Sequence, residues 1–169
     1  MDGDNNSNRV SLRKLNENDA PKMLEWLSNS DITRYLSIGD RTYAIEDAQN
    51  YIKSAQNEET NVHRAIVNEN DEYLGTVSLK NVNKDKQEAE YAIAMHPSAI
   101  GTGAAAVATQ AIIDLAFEQL GLRRVYLNVY RVNARAVSFY ERFGFAYTHS
   151  TTEAFRGEDL ELMWYEIVK

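Results

Sequence analysis

The sequence predicts an α+β (α/β) domain with a mixed, mostly antiparallel twisted sheet of six to seven strands, one central parallel βαβ crossover and about four helices. Three observations predict it. Short alternating runs, "VHRAIV" and "YLGTVSLKNV", flank the polar turn "NENDE" and read as a hairpin. Two further strand-like runs, "EAEYAIAM" and "RRVYLNVY", enclose one amphipathic segment, and strands joined through a helix run parallel. A chain of 169 residues fits one domain with a full core, and it carries no internal repeat.

The elements follow in order. The polar opening "MDGDNNSN" reads as a flexible tail, residues 1–8, ahead of a single domain over 9–169. It has no basic region followed by an apolar core, so a cytoplasmic location is expected. "VSLRKL" alternates as a first strand. In "NENDAPKMLEWLSN", Asn18 or Asp19 is an N-cap, Pro21 lies in the first turn, and Met23, Leu24 and Leu27 have helical spacing. Ser30 to Arg41 has no period and reads as a long loop. A helix from about Ala44 to Gln56 follows, with Ile45, Ala48 and Ile52 on one face. After the first hairpin, "NKDKQ" turns the chain into "EAEYAIAM". The run "AAAVATQAIIDLAFEQLG" places Ala108, Ile112, Leu115 and Leu120 near helical spacing and ends at Gly121. "NARAVSFYERFG" is a short helix between Asn133 and Gly144, and the C-terminal strands "FAYTHSTTEAF" and "LELMWYEIV" form a hairpin around Gly157.

Composition narrows the function classes. The apolar fraction is 44% and the charged fraction 25%, with no run long enough to span a bilayer, so no membrane partner is expected. Lys plus Arg number 18 against 25 Asp plus Glu, and the net charge of −7 disfavours nucleic acid. One stretch runs the other way: Arg123, Arg124, Arg131, Arg135 and Arg142 stand against Glu141 alone, a patch suited to a phosphate-rich ligand or simply a solvated face. The chain has no cysteine, which removes disulfides, thiolate metal sites and an acyl-cysteine intermediate. Its three histidines, His63, His96 and His149, form no ligand cluster in the sequence, and no metal is expected.

"HPSAIGTGAAA" lies where the crossover strand turns into its helix. At that edge of the sheet the first backbone N–H groups of the helix point outward without partners, and the small residues Gly101, Gly103, Ala104 and Ala105 leave them uncovered. Main chain there can hold a phosphate or pyrophosphate. Two glycines can also serve turn geometry alone. Gly101, Gly103 and Ala106 satisfy the dinucleotide pattern G-x-G-x-x-[GA] as well, which keeps an NADP-binding Rossmann oxidoreductase as an alternative. That alternative fits poorly, because Tyr130 and Arg131 stand where its acid should be and too little chain follows for further βαβ units.

"IAMHPSAIGTGAAA" resembles the acetyl-CoA loop of the GNAT superfamily of N-acetyltransferases, R/Q-x-x-G-x-G/A. Gly103 and Ala105 fill its small positions, Gly101 matches a common extra glycine, and Ile100 replaces the usual Arg or Gln. "NARAVSFYERFGF" resembles the family's helix pattern N-x-x-A-x-x-x-Y-E-x-x-G-F through Asn133, Ala136, Tyr140, Glu141, Gly144 and Phe145. The likeness spans nearly the whole chain from Val10. "AEYAIAMHP" and "FRGEDLELMWY" look most like the branch of ribosomal-protein N-terminal alanine acetyltransferases, with amino-sugar and polyamine enzymes close by.

The resemblance implies an acetyl-CoA-dependent N-acetyltransferase of GNAT-like fold. It implies that the strand ending at Met95 and the strand Arg124 to Val129 splay apart. Ile93 and Met95 then offer main chain to the pantetheine arm. The turn from Ile100 through Thr102 to Ala105 would meet the diphosphate, and Asn133 would cap its helix and contact CoA. Tyr140 is implied as proton donor to the departing thiolate, set against a packed aromatic face with Phe139 and Phe143. For the base, strand alternation puts Glu88, Glu90, Ala92 and Ala94 on one face, with room beside Glu90 for an amine; a solvated strand glutamate is the alternative. The acceptor is expected to be a small-molecule amine, an amino sugar or a peptide N-terminus, bounded by Trp26 and Tyr35. A non-catalytic acyl-CoA-binding domain is the other reading, and the resemblance leaves a homodimer open.

Overall fold

The computed structural model describes residues 9–36, 38–39 and 41–169; the tail expected over 1–8 lies outside them. In chain order the elements are β1 (Ser11–Arg13), α1 (Ala20–Leu27), α2 (Ser30–Thr33), α3 (Ile45–Ser54), β2 (Val62–Val67), β3 (Tyr73–Asn83), β4 (Glu88–Met95), α4 (Ala104–Asp114), β5 (Arg124–Tyr130), α5 (Ala134–Phe143), β6 (Ala146–Phe155) and β7 (Glu158–Val168). Seven strands form one sheet in the order β1-β2-β3-β4-β5-β7-β6, and all neighbours are antiparallel except the crossover pair β4 and β5. No helix among the described residues is long and apolar enough to cross a membrane.

Local chemistry sets the helix starts. Neither Asn18 nor Asp19 is the side-chain N-cap; Asn16 caps a 3-10 turn over Glu17–Asp19 that runs into α1. Asp19 has another task. Its buried carboxylate accepts from Arg13 at 2.8 and 2.9 Å and from the Asn16 N–H, which ties β1 to α1. The segment expected as a loop contains α2, whose first turn is closed by the Asn29 side chain accepting from Asp31 and Ile32. The crossover helix widens after Asp114 into a π turn over Leu115–Gln119, and the Gly121 turn closes with the Leu122 N–H on the Ala116 carbonyl. β1 is shorter than the alternating run suggests, because only Ser11 to Arg13 pair with β2.

Strand alternation divides the core. Val77, Leu79, Ala89, Tyr91, Val125 and Leu127 face α4 and the π turn after it, where Ala108, Ile112 and Ala116 are fully buried against them. Ala65, Val67 and Tyr73 face the other way and pack under Met23 and Trp26 of α1 and Ala48 and Ile52 of α3. The sheet is thus covered on both faces, α4 on one and α1 with α3 on the other.

The crossover pair opens. Paired positions between β4 and β5 run only from Glu88 with Arg124 to Glu90 with Tyr126, after which each strand continues with its other neighbour. Arg124 fastens the closed end, holding Glu88 at 2.8 Å and Glu166 at 2.5 Å. Beyond Glu90 the two strands diverge. The His96 N–H bonds the Leu74 carbonyl, so antiparallel alternation turns Ala94 and Ala92 toward β3 and leaves the main-chain groups of Ile93 and Met95 facing the gap. By the same alternation from Arg131 on Glu161, Asn128 and Tyr130 face it from β5.

Candidate active site

Two cavities meet at that gap. The larger, about 790 Å³, runs from Ile93 and Met95 past Ile100, Gly101, Gly103 and Ala105 to Asn133, Arg135 and Tyr140. Gly101 has φ 80° and Gly103 φ 84°, left-handed conformations that side chains rarely adopt, and a Cβ at either would meet nothing within 4 Å. The glycines serve the bend itself. Among the described residues no acceptor takes the N–H groups of Gly101, Gly103, Ala105 and Ala106. The Ala104 N–H differs: the Thr102 hydroxyl lies 3.3 Å from it and itself donates to the Ala99 carbonyl at 2.6 Å. Thr102 and Ala104 therefore shape the bend without lining the cavity. The free donors, the unpaired strand edges and the volume together fit the diphosphate and pantetheine arm of a CoA thioester.

The basic patch divides on folding. Arg131 pairs with Glu161 at 2.9 Å, and Arg124 is held by its two glutamates. Arg135 and Arg142 line the larger cavity together with the loop that carries the free donors. His96 turns away; its ring bonds Ser98 at 2.7 Å and Glu25 on α1.

Asn133 caps α5 by accepting from the Ala136 N–H at 3.4 Å and also lines the cavity. Tyr140 lies on the same helix and belongs to both cavities. Its ring meets Tyr91 edge-on at 5.8 Å and Phe145 at 5.7 Å, so packing fixes its direction. Burial raises its pKa well above the usual tyrosine value. The phenol stays protonated throughout the neutral range.

The second cavity, about 450 Å³, lies on the α1 and α3 face, walled by Trp26, Tyr35, Tyr43 and Tyr51 and floored by His63, Ser78, Lys80, Glu90, Ala92 and Asn128. It shares Tyr35, Leu36, Ile93, Ala94, Asn128 and Tyr140 with the first. Strand alternation placed Glu90 and the small Ala92 and Ala94 on this face. The surroundings of Glu90 were not legible: Oε2 lies 3.2 Å from Lys80 Nζ, and Oε1 accepts from Asn128 Nδ2 at 3.0 Å. At the rim Arg41 pairs with Asp47 at 2.8 Å and lowers its pKa to about 2, so that carboxylate stays charged. His63, scattered in the sequence, is brought to the same floor by β2.

The family profile described as "Acetyltransferase (GNAT) domain" matches residues 9–146. The chain belongs to the GNAT acetyltransferase family. This GNAT chain is 26% identical over 141 residues to the "Uncharacterized N-acetyltransferase p20" of Bacillus licheniformis, covering 81% of the chain and 79% of that protein. It is 28% identical over 137 residues to the spermidine N(1)-acetyltransferase of Escherichia coli, covering 81% of the chain and 73% of that enzyme. The crystal structure of spermidine N-acetyltransferase from Vibrio cholerae in complex with CoA and spermine shares the fold, with a TM-score of 0.85, 22% identity and 95% of each chain covered. As a GNAT acetyltransferase the chain uses acetyl-CoA as its acetyl donor. The likeness to ribosomal-protein acetyltransferases is not what these relatives show; two of the three are named as spermidine acetyltransferases.

Proposed function

We propose that this GNAT acetyltransferase acetylates a primary amine of a small cationic molecule, with a polyamine of the spermidine class as the first candidate. The observation that carries the reading is the junction of the two cavities at Ile93, Asn128 and Tyr140: one side offers free main-chain donors, the other a wall of aromatic rings. Ring faces attract an ammonium group, and the cavity's cations Arg41 and Lys80 are each neutralised by a carboxylate, so neither repels a charged amine at full strength. The spermidine enzymes among the relatives support the same acceptor class.

In this reading acetyl-CoA supplies the activated acetyl group as a thioester. The N–H groups of Gly101, Gly103, Ala105 and Ala106 hold the diphosphate, aided by Arg135 and Arg142, which supply the charge that Ile100 does not. Main chain of Ile93 and Met95 directs the thioester to the gap. Tyr140 gives its hydroxyl proton to the departing sulfur. With no cysteine in the chain, the amine attacks directly.

The test is thiol release from acetyl-CoA with spermidine, spermine, amino sugars and peptides beginning with alanine or serine. Release with spermidine or spermine is expected. Release with peptides alone would place the acceptor among protein N-termini, and CoA binding without release for any amine would mark a non-catalytic domain.

A further inference from the structure

Glu90 is already engaged, by Lys80 at one oxygen and by Asn128 at the other. A second group on the floor can take the proton that an attacking amine must lose. His63 Nδ1 lies 2.6 Å from Ser78 Oγ and 2.9 Å from the Tyr51 hydroxyl, and both contacts fall on the same nitrogen. In the tautomer that carries its hydrogen on Nδ1 and donates it to Ser78, the ring is held in place and Nε2 keeps its lone pair. Nε2 has no partner among the described residues.

We propose that Nε2 of His63 accepts the proton released by the acceptor amine, while Glu90, Lys80 and Asn128 form a fixed polar floor beneath it. This rests on the acetyl transfer proposed above. The amine nitrogen bonds to the acetyl carbonyl carbon and the carbon–sulfur bond breaks. Sulfur takes the hydrogen of Tyr140, the nitrogen's hydrogen passes to His63, and exchange with solvent restores both side chains. β2 lies about 10 Å from β4 across the floor, a distance that an imidazole reaching over Ser78 and one water span.

Burial first, and then the balance of nearby charges, favours the neutral ring of His63. Burial lowers its pKa below 6.5, Lys80 on β3 and Arg64 on β2 lower it further, and Glu58 ahead of β2 opposes them. From α3 it meets Tyr51, and the same cavity carries Asp47, held by Arg41, and Glu90 of β4, held by Lys80. A lowered value means that the ring accepts a proton at neutral pH and loses that capacity as the pH falls through its own pKa.

The experiment measures kcat and kcat/KM for spermidine against pH in the full chain, its His63→Gln variant and its Glu90→Gln variant, with CoA binding by calorimetry as the check on folding. His63→Gln is expected to lower kcat at least tenfold at neutral pH and to abolish the acidic limb, with the KM for acetyl-CoA nearly unchanged. Glu90→Gln is expected to keep that limb. An acidic limb that survives in His63→Gln, or disappears only in Glu90→Gln, overturns the assignment. Should His63→Gln fail to bind CoA, NMR titration of the wild-type imidazole decides: a midpoint below 6.5 that moves on adding spermidine supports it, and one unmoved by spermidine overturns it. A wild-type chain that releases no thiol with any amine brings down the proposed function itself, a result distinct from an active wild type with an unaffected His63 variant.

Discussion

The Tyr140 hydroxyl makes no hydrogen bond among the described residues, whereas Glu90 accepts from Asn128 through one oxygen and pairs with Lys80 through the other. A protonated phenol with no partner and a direction held by ring packing is placed to donate, whereas the Glu90 carboxylate is fixed between an ammonium and an amide. Tyr140→Phe keeps the aromatic contacts and removes only the proton. It is expected to lower kcat at least tenfold, about 1.4 kcal/mol in the barrier, while CoA affinity stays nearly unchanged. Steady-state turnover with calorimetry checks it, and unaltered turnover removes the role. Burial raises the pKa of Tyr140, so its loss as a donor on the basic side belongs above the ordinary tyrosine range. Motif spacing was enough to single out Tyr140 and Asn133. His63 was not legible, because its partners arrive from α3 and β3, 12 and 15 residues away along the chain, and only folding assembles them.

Among the elements, β4 carries the most. It pairs with β3 from Glu88 to Met95, with one irregularity opposite Ala89, but with β5 only through Glu90, and its free edge from Ile93 to Met95 is one wall of the gap. The position of that wall depends on Gly75 of β3, where a Cβ would lie 2.5 Å from the Ala94 carbonyl oxygen and 3.0 Å from the Met95 Cα. The Met95 Sδ, at 3.1 Å, can yield, but the two nearest atoms are backbone, so Gly75→Ala must push the end of β4 away. Overpacking of this kind costs roughly 1–3 kcal/mol. A lower Tm in thermal unfolding is expected together with weaker CoA binding by calorimetry, and a variant with wild-type values for both would show that the gap does not depend on this contact. Period-two alternation exposed β2, β3, β4 and the two faces of β4 in the sequence. The α2 turn was missed because four residues show no period; Asn29, whose side chain closes it, was the one available signal. The opening of β4 from β5 was implied by resemblance alone, since alternation is the same in a paired strand and an unpaired one.

At the scale of the molecule, the sheet separates two tasks. Its edge at the crossover bend presents backbone donors toward one cavity, its α1 and α3 face presents aromatic rings and a polar floor toward the other, and the parted strands connect them. The order of elements, the parallel pair and the bend were legible from hydrophobic period and glycine placement. The division of the arginines into paired Arg124 and Arg131 and cavity-lining Arg135 and Arg142 was not, because it follows from which acids the hairpin β6–β7 and β4 bring alongside. The central claim is that free peptide N–H groups at the bend receive the diphosphate of CoA. Addition of CoA to the ¹⁵N-labelled protein tests it most directly: the amide resonances of Gly101, Gly103, Ala105 and Ala106 are expected to shift most, to saturation. Saturable shifts elsewhere with these four unmoved, or no shifts at all, would contradict it.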